Sequence, residues 1–217
     1  MSLGSTLMRS SLPATASIPQ TVVLDTKTGI NLLQRPVEEV QTLQTDSTDF
    51  ACLTINRGSD FSRNLHRASQ LNRWRDGPEC TLVLADVRHH GGDTERTVVY
   101  FYVARGLDGS LHTHFYQDNT HSSHANNIIK RVIGNVVPVR DDEQLSITVL
   151  LDHSIIKSLA MGGRSTTTTS RVYLTEAIHA NAGVYLFNNA TSALVTTISL
   201  VAHEIDSSFN QAYIASL

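Results

Sequence analysis

A chain of 217 residues, 41% of them apolar and only 17% charged, is long enough to form one domain with a sizeable core. Its net charge of -3 and pI near 6.3 argue against nucleic acid or an anionic membrane as the partner and favour a neutral one. No apolar run is long enough to cross a bilayer, Met1 to Ser11 lacks the uninterrupted apolar core of a secretory signal, and two cysteines are too few for a disulfide scaffold.

In chain order, residues 1–16 are rich in Ser, Thr and small side chains without a sustained period, and are expected to be a loose arm. Thr21 to Leu24 reads as a short β-branched strand, Asp25-Thr26-Lys27-Thr28-Gly29 as its turn, and Asn31 to Val40 as the return. Pro36 would place that return at an edge or a bulge, because it cannot donate to a ladder. Ala51 to Ile55 is a further strand candidate, and Phe61 to Leu71 is less regular. Five arginines and His66 lie between Arg57 and Arg75, against Asp60 alone. They read either as an anionic-ligand patch or as a solvated surface. The lack of interleaved aromatics and the acidic balance of the chain favour the surface. Cys52 and Cys80 match no zinc spacing and either form a single bridge or stay as separate, half-buried thiols.

In Thr97 to Ala104, Val99, Phe101 and Val103 share one face and Val98, Tyr100 and Tyr102 the other, so both faces are apolar and the strand should be central in its sheet. Asp108-Gly109 is a hairpin turn and Leu111 to Tyr116 its return. Residues 126–139 add Ile128-Ile129 and Val136-Val137 around Gly134, and Asp141-Asp142 caps the next turn. Leu145, Ile147, Val149 and Leu151 then alternate with Ser146, Thr148 and Leu150, the period of a strand with one buried face. Ile155, Ile156 and Leu159 resume after a polar break, and Gly162-Gly163 can adopt the positive φ of a tight reversal, so this stretch reads as a β-hairpin. Thr166 to Val172 is the next strand, Gly183 to Phe187 a buried one ending in the turn pair Asn188-Asn189, and Ser192 to His203 a long final strand. About a dozen short strands and no convincing helix indicate a two-sheet sandwich.

At several of these stretches the sequence resembles a known family. Leu151-Asp152-His153-Ser154-Ile155, Gly162-Gly163-Arg164, Ser170-Arg171-Val172-Tyr173, Thr175-Glu176-Ala177-Ile178 and Leu186-Phe187-Asn188-Asn189-Ala190-Thr191 resemble, in that order, the C-terminal domain of plant glycoside hydrolase family 32. That family contains acid invertases, fructan exohydrolases and fructosyltransferases. Upstream, the segment from Ser17 to Asp25 and Pro36-Val37-Glu38-Glu39-Val40 resemble the passage from the family's catalytic propeller into its sandwich. The resemblance implies an all-β, two-sheet antiparallel sandwich of the jelly-roll, concanavalin-like kind, with the catalytic propeller absent from these residues. On that reading residues 17–44 are the junction segment and residues 45–217 the sandwich. The middle is shorter than usual, because Gln70-Leu71 runs to Thr81 in a few residues, and this would leave neighbouring strands with unpaired edges.

Four constellations could carry chemistry. Asp152-His153-Ser154 contains the letters of a hydrolase triad, but neighbours on a strand point to opposite faces and cannot form a relay, so they read as polar contacts at a strand end. His112 and His114 share a strand face about 7 Å apart along the chain. With His121 and His124 beyond the turn a metal site is conceivable, but no carboxylate or cysteine completes it at a familiar spacing, and a histidine-rich exposed hairpin is favoured. Trp74-Arg75-Asp76-Gly77-Pro78-Glu79-Cys80 is similar to two catalytic motifs of the family, whose members use an Arg-Asp-Pro aspartate and a Glu-Cys acid/base. In the family these lie far apart on the propeller, and its nucleophile motif Asn-Asp-Pro occurs nowhere in this sequence. A retaining glycosidase needs carboxyls about 5 to 5.5 Å apart across a bound sugar, which a short turn cannot build. No catalytic residue is carried over. Asn189-Ala190-Thr191 is an N-glycosylation sequon, making Asn189 the candidate modification site.

The resemblance implies retaining fructosyl transfer from sucrose or fructan to water or another sugar, with no cofactor and no metal. It implies a propeller domain as partner, sucrose or fructan reached through that domain, and a vacuolar or extracellular (cell-wall) location. The alternative is a free-standing, non-catalytic β-sandwich that binds carbohydrate or a partner protein. A junction segment without its propeller should leave Ile18, Val22, Leu24, Leu32, Leu33 and Val37 poorly covered.

Overall fold

The computed structural model describes residues 19–51, 54–56, 59–63, 74–75, 81–88, 95–125, 128–152, 155–170, 183–188, 195–197 and 199–205. The arm at residues 1–16, Cys52 and Cys80, and most of the shortened middle lie outside them, as do Asp76, Glu79, His153, Ser154 and Asn189.

Among the described residues the chain is built of strands and two short 3-10 segments, without an α-helix. β1 (Gln20–Leu24) and β2 (Leu32–Pro36) form an antiparallel hairpin across the Asp25 turn. The expected strand to Val40 stops at Pro36, and a 3-10 segment, Glu38–Leu43, follows. Next come β3 (Gln44–Ala51), β4 (Thr54–Ile55), β5 (Ser59–Arg63), β6 (Trp74–Arg75), β7 (Thr81–Arg88), β8 (Val98–Arg105), β9 (Leu111–Asp118) and β10 (Val132–Val136). The chain closes through β11 (Ile147–Asp152), β12 (Ile155–Ala160), β13 (Ser165–Ser170), β14 (Gly183–Asn188), β15 (Val195–Thr197) and β16 (Ser199–Ile205).

One sheet has six strands in the order β10-β9-β8-β7-β14-β5, every neighbouring pair antiparallel. β11, β12 and β13 make an antiparallel meander; β15 pairs with β4 and β6, and β16 with β3. The expected final strand, Ser192 to His203, is thus two strands that enter different sheets. The all-β sandwich architecture stands, with the six-stranded sheet and the meander facing each other. Their meeting point is Gln117 of β9, whose side-chain oxygen accepts hydrogen bonds from Ser158 of β12 (3.1 Å) and Thr167 of β13 (2.7 Å). A buried amide satisfied from the opposite layer fixes the register of the two sheets as well as their contact.

Phe101 and Phe115 sit on this inner face, directly opposite each other on β8 and β9, with ring centroids 5.4 Å apart and no exposed surface. Val99, Val103, Ile147, Val149 and Phe187 join them in the core, as their strand periods predict. β8 is central, as expected, but the reading that both faces are covered is too simple: Tyr100 is half-buried and Tyr102 exposed. The opposite correction applies at the meander, where Leu150 is buried and Leu151 half-buried. All six residues of β12 are buried, because it runs in the middle of its sheet and between layers. Asn188 is the buried last residue of β14 rather than an exposed turn residue.

Candidate functional site

The reversal after β12 is the best-organised polar feature among the described residues. Gly162 and Gly163 have φ of 66° and 104°, the left-handed region that only glycine enters without strain. Gly163 is also fixed by contact: a Cβ there would lie 2.1 Å from the Gln34 carbonyl oxygen, so the loop packs directly on the β2 backbone. Arg35 donates from Nε to the Gly162 carbonyl at 3.2 Å, and Thr166 donates to Gln34 Oε1 at 3.0 Å.

Immediately behind the glycines, the Arg164 side chain is buried and binds two carboxylates from distant parts of the chain. Its Nε donates to Asp25 Oδ2 at 2.6 Å, its Nη2 to Glu143 Oε1 at 2.8 Å and its Nη1 to the second Glu143 oxygen and to the Pro138 carbonyl. Lys27 reaches Glu143 at 3.2 Å, and Arg140 donates to the Lys27 carbonyl at 2.9 Å. The guanidinium fork matches a carboxylate edge in a way an ammonium cannot. Burial alone would push the Asp25 carboxyl up, but hydrogen bonds from Arg164, the Lys27 N–H and the Thr28 hydroxyl outweigh it and hold the group at about 2. The Arg164 hydrogen bonds likewise lower Glu143 to about 2, and its carboxylate raises Arg164 further. All three groups are therefore charged at any physiological pH.

This cluster fastens the turn of the β1–β2 hairpin, through Asp25 and Lys27, to the sandwich. Cross-strand partners share a face, so Val23, Leu33, Thr21 and Arg35 lie on one side and Val22, Leu24, Leu32 and Gln34 on the other. Leu33 is buried, which corrects its expected place in the uncovered patch. Val22, Leu24 and Leu32 are 57%, 56% and 55% exposed and share one side, and Val23, across from the buried Leu33, is exposed as well. Val37 is half-buried, and Ile18 lies outside the described residues.

The other candidate residues are not brought together. His112 bonds Ser110 Oγ at 2.9 Å, His114 the Tyr116 hydroxyl at 3.3 Å and His121 the Thr120 hydroxyl at 2.9 Å, while His124 donates its backbone N–H to Glu95. No three His, Cys, Asp or Glu side chains converge on a metal position among the described residues. Asp152 ends β11 and Trp74-Arg75 forms β6; their partners in the suspected motifs, and Asn189, lie outside the described residues. Sequence reading missed Asp25 and Glu143 as partners of Arg164. Gly-Gly-Arg was the available signal, since two glycines ahead of a cation mark a close backbone approach.

Comparison with known proteins places this geometry in context. The family described as "Glycosyl hydrolases family 32 C terminal" matches residues 38–204. Sucrose:sucrose 1-fructosyltransferase of Festuca arundinacea is 44% identical over 91% of the chain, which spans 34% of that protein. Acid beta-fructofuranosidase 2, vacuolar, of a Rosa hybrid cultivar is 40% identical over 88% of the chain, again 34% of the relative. The fold matches the crystal structure of fructan 1-exohydrolase IIa from Cichorium intybus with a TM-score of 0.74 at 23% identity, covering 88% of this chain and 41% of that one. The chain thus spans about a third of the length of the curated relatives it matches.

Proposed function

Since the chain belongs to glycoside hydrolase family 32 and carries its C-terminal domain, we propose that these 217 residues serve as the sandwich part of a sucrose- or fructan-acting β-fructofuranosidase or fructosyltransferase and hold no catalytic carboxylates themselves. Residues 17–44 form the junction and residues 45–217 the sandwich. The partner is a catalytic propeller domain, and sucrose or fructan is met through it rather than by the sandwich alone. The vacuolar relative favours the vacuole or the cell wall as the place of work. The whole-chain charge of -3 fits a neutral sugar substrate better than nucleic acid or a membrane surface.

The observation that carries this reading is the exposed hairpin. Its turn is fastened through Asp25 to the Arg164 cluster, while Val22, Val23, Leu24 and Leu32 stay exposed. An aliphatic group rigidly displayed in this way is what an inter-domain contact requires, and such contacts bury about 600 to 1,500 Å². Exposed apolar patches larger than a few hundred Å² are uncommon on monomers and mark partner surfaces.

Sedimentation velocity of the purified chain at about 20 to 50 μM tests the reading, a range in which contacts near the micromolar regime are populated. Self-association is expected, reversed by the combined change Val22→Ser, Leu24→Ser and Leu32→Ser. A stable monomer with the patch intact would favour the free-standing sandwich instead.

A further inference from the structure

The outward face of the six-stranded sheet carries an aromatic block that the junction does not use. Tyr100 and Tyr116 stand directly opposite each other on β8 and β9, as do Tyr102 and His114. Ring centroids are 5.5 Å apart for the first pair and 6.1 Å for the second, and His114 stacks on Tyr116 at 5.8 Å with 5° between the planes. The core does not require these rings, because Val99, Phe101, Val103, Phe115 and Gln117 already fill the inner face of the same two strands. Tyr102 is 43% exposed and the other three are half-buried. On the neighbouring strand Gly134 lies opposite Tyr116 and seats its ring, since a Cβ there would lie 2.5 Å from that ring. Val132 and Val136, both exposed, continue the strip on β10.

Charge narrows the ligand. The register puts Val98, Tyr100, Tyr102, Ala104, His112, His114, Tyr116, Asp118, Val132, Gly134 and Val136 on this face of β8, β9 and β10, with Asp118 the one permanent charge and no lysine or arginine. Phosphate-bearing and other anionic ligands would find no lysine or arginine to pair with on this face of the three strands. Ring faces carry negative quadrupole density and attract polarised C–H groups, while the tyrosine hydroxyls, the imidazole and the carboxylate can bond hydroxyls at the rim. A compound with C–H faces, hydroxyl edges and no charge meets both demands.

We propose that Tyr100, Tyr102, His114 and Tyr116 form a binding platform for a neutral oligosaccharide chain lying along the sheet. The neutral, polyhydroxylated class follows from the face itself; the choice of fructan as first probe rests on the family reading above.

Affinity electrophoresis of the full chain in native gels containing inulin, dextran or polygalacturonate tests it. The wild-type chain should be retarded by inulin, and Tyr102→Ala and His114→Ala should each weaken binding about tenfold. Tyr102→Phe, which keeps the ring, should retain most of it, and thermal melts should show both Ala variants folded. Val22→Ser with Leu24→Ser should leave retardation unchanged while altering self-association, so that failure of the platform and failure of the junction reading give different results. Absence of retardation by both neutral polymers, retardation by polygalacturonate alone, or retardation indifferent to Tyr102→Ala would each overturn the proposal. Loss of self-association in Tyr102→Ala would also overturn it, by identifying a second copy of the chain as the occupant.

Discussion

At the scale of single residues, Arg164 is the side chain on which most depends. Replacing it by Met removes the fork and strands two buried carboxylates, a loss of about 3 to 5 kcal/mol for a broken buried ion pair, measurable by urea denaturation. The pH dependence has a defined sign. Asp25 and Glu143 both titrate near 2 in the fold, below their ordinary values of 3.8 and 4.5. Their contribution is therefore complete above about pH 4.5 and is lost as the pH falls towards 2. The melting temperature of the wild-type chain should decline through that window. In Arg164→Met the decline should shrink or reverse, since two unpaired carboxylates are relieved by protonation. Phe101 gives a purely apolar counterpart: with no exposed surface, its truncation to Ala should cost about 3 to 5 kcal/mol by cavity formation. A loss below about 1 kcal/mol in chemical denaturation would place Phe101 outside the core.

At the scale of elements, the Gly162-Gly163 reversal couples the meander to the β1–β2 hairpin. Gly163→Ala meets a positive φ and the Gln34 carbonyl at once. Backbone strain of about 1 to 3 kcal/mol should loosen the hairpin about tenfold or more. Faster tryptic cleavage after Lys27, in the β1–β2 turn, with the β8–β9 pair still protected, is the expected outcome. These elements also show what could be read beforehand. Strand period and turn chemistry are local, so β1, β8, β9, β11 and the Asp108-Gly109 turn were legible within a few residues of sequence. Which side of β8 is covered was not, because Tyr100 and Tyr102 are as compatible with a core as with an open platform until the opposing layer is known. The break between β15 and β16 depends on their different partner strands, β4 and β6 for one and β3 for the other, and the Arg164 cluster joins residues 139 and 21 positions away, which no window along the chain contains.

At the scale of the whole molecule, the proposed division of labour predicts that the purified chain releases no fructose from sucrose or inulin. Turnover that disappears in Asp76→Asn or Glu79→Gln would contradict it and give the Trp74 to Cys80 segment a catalytic role. The Arg164 clamp has a further consequence, for synthesis. Asp25 leaves the ribosome 139 residues before the arginine that secures it. At the usual rate of about 5 to 20 residues per second, the hairpin waits roughly 7 to 28 s without its anchor. For that interval Leu33 has no sandwich to pack against, and Val22, Leu24 and Leu32 are displayed on a nascent chain that cannot yet hold them in place. Until Arg164 emerges the hairpin is held by its own ladder alone, and Leu33 adds to the aliphatic surface within reach of holding factors for that interval only.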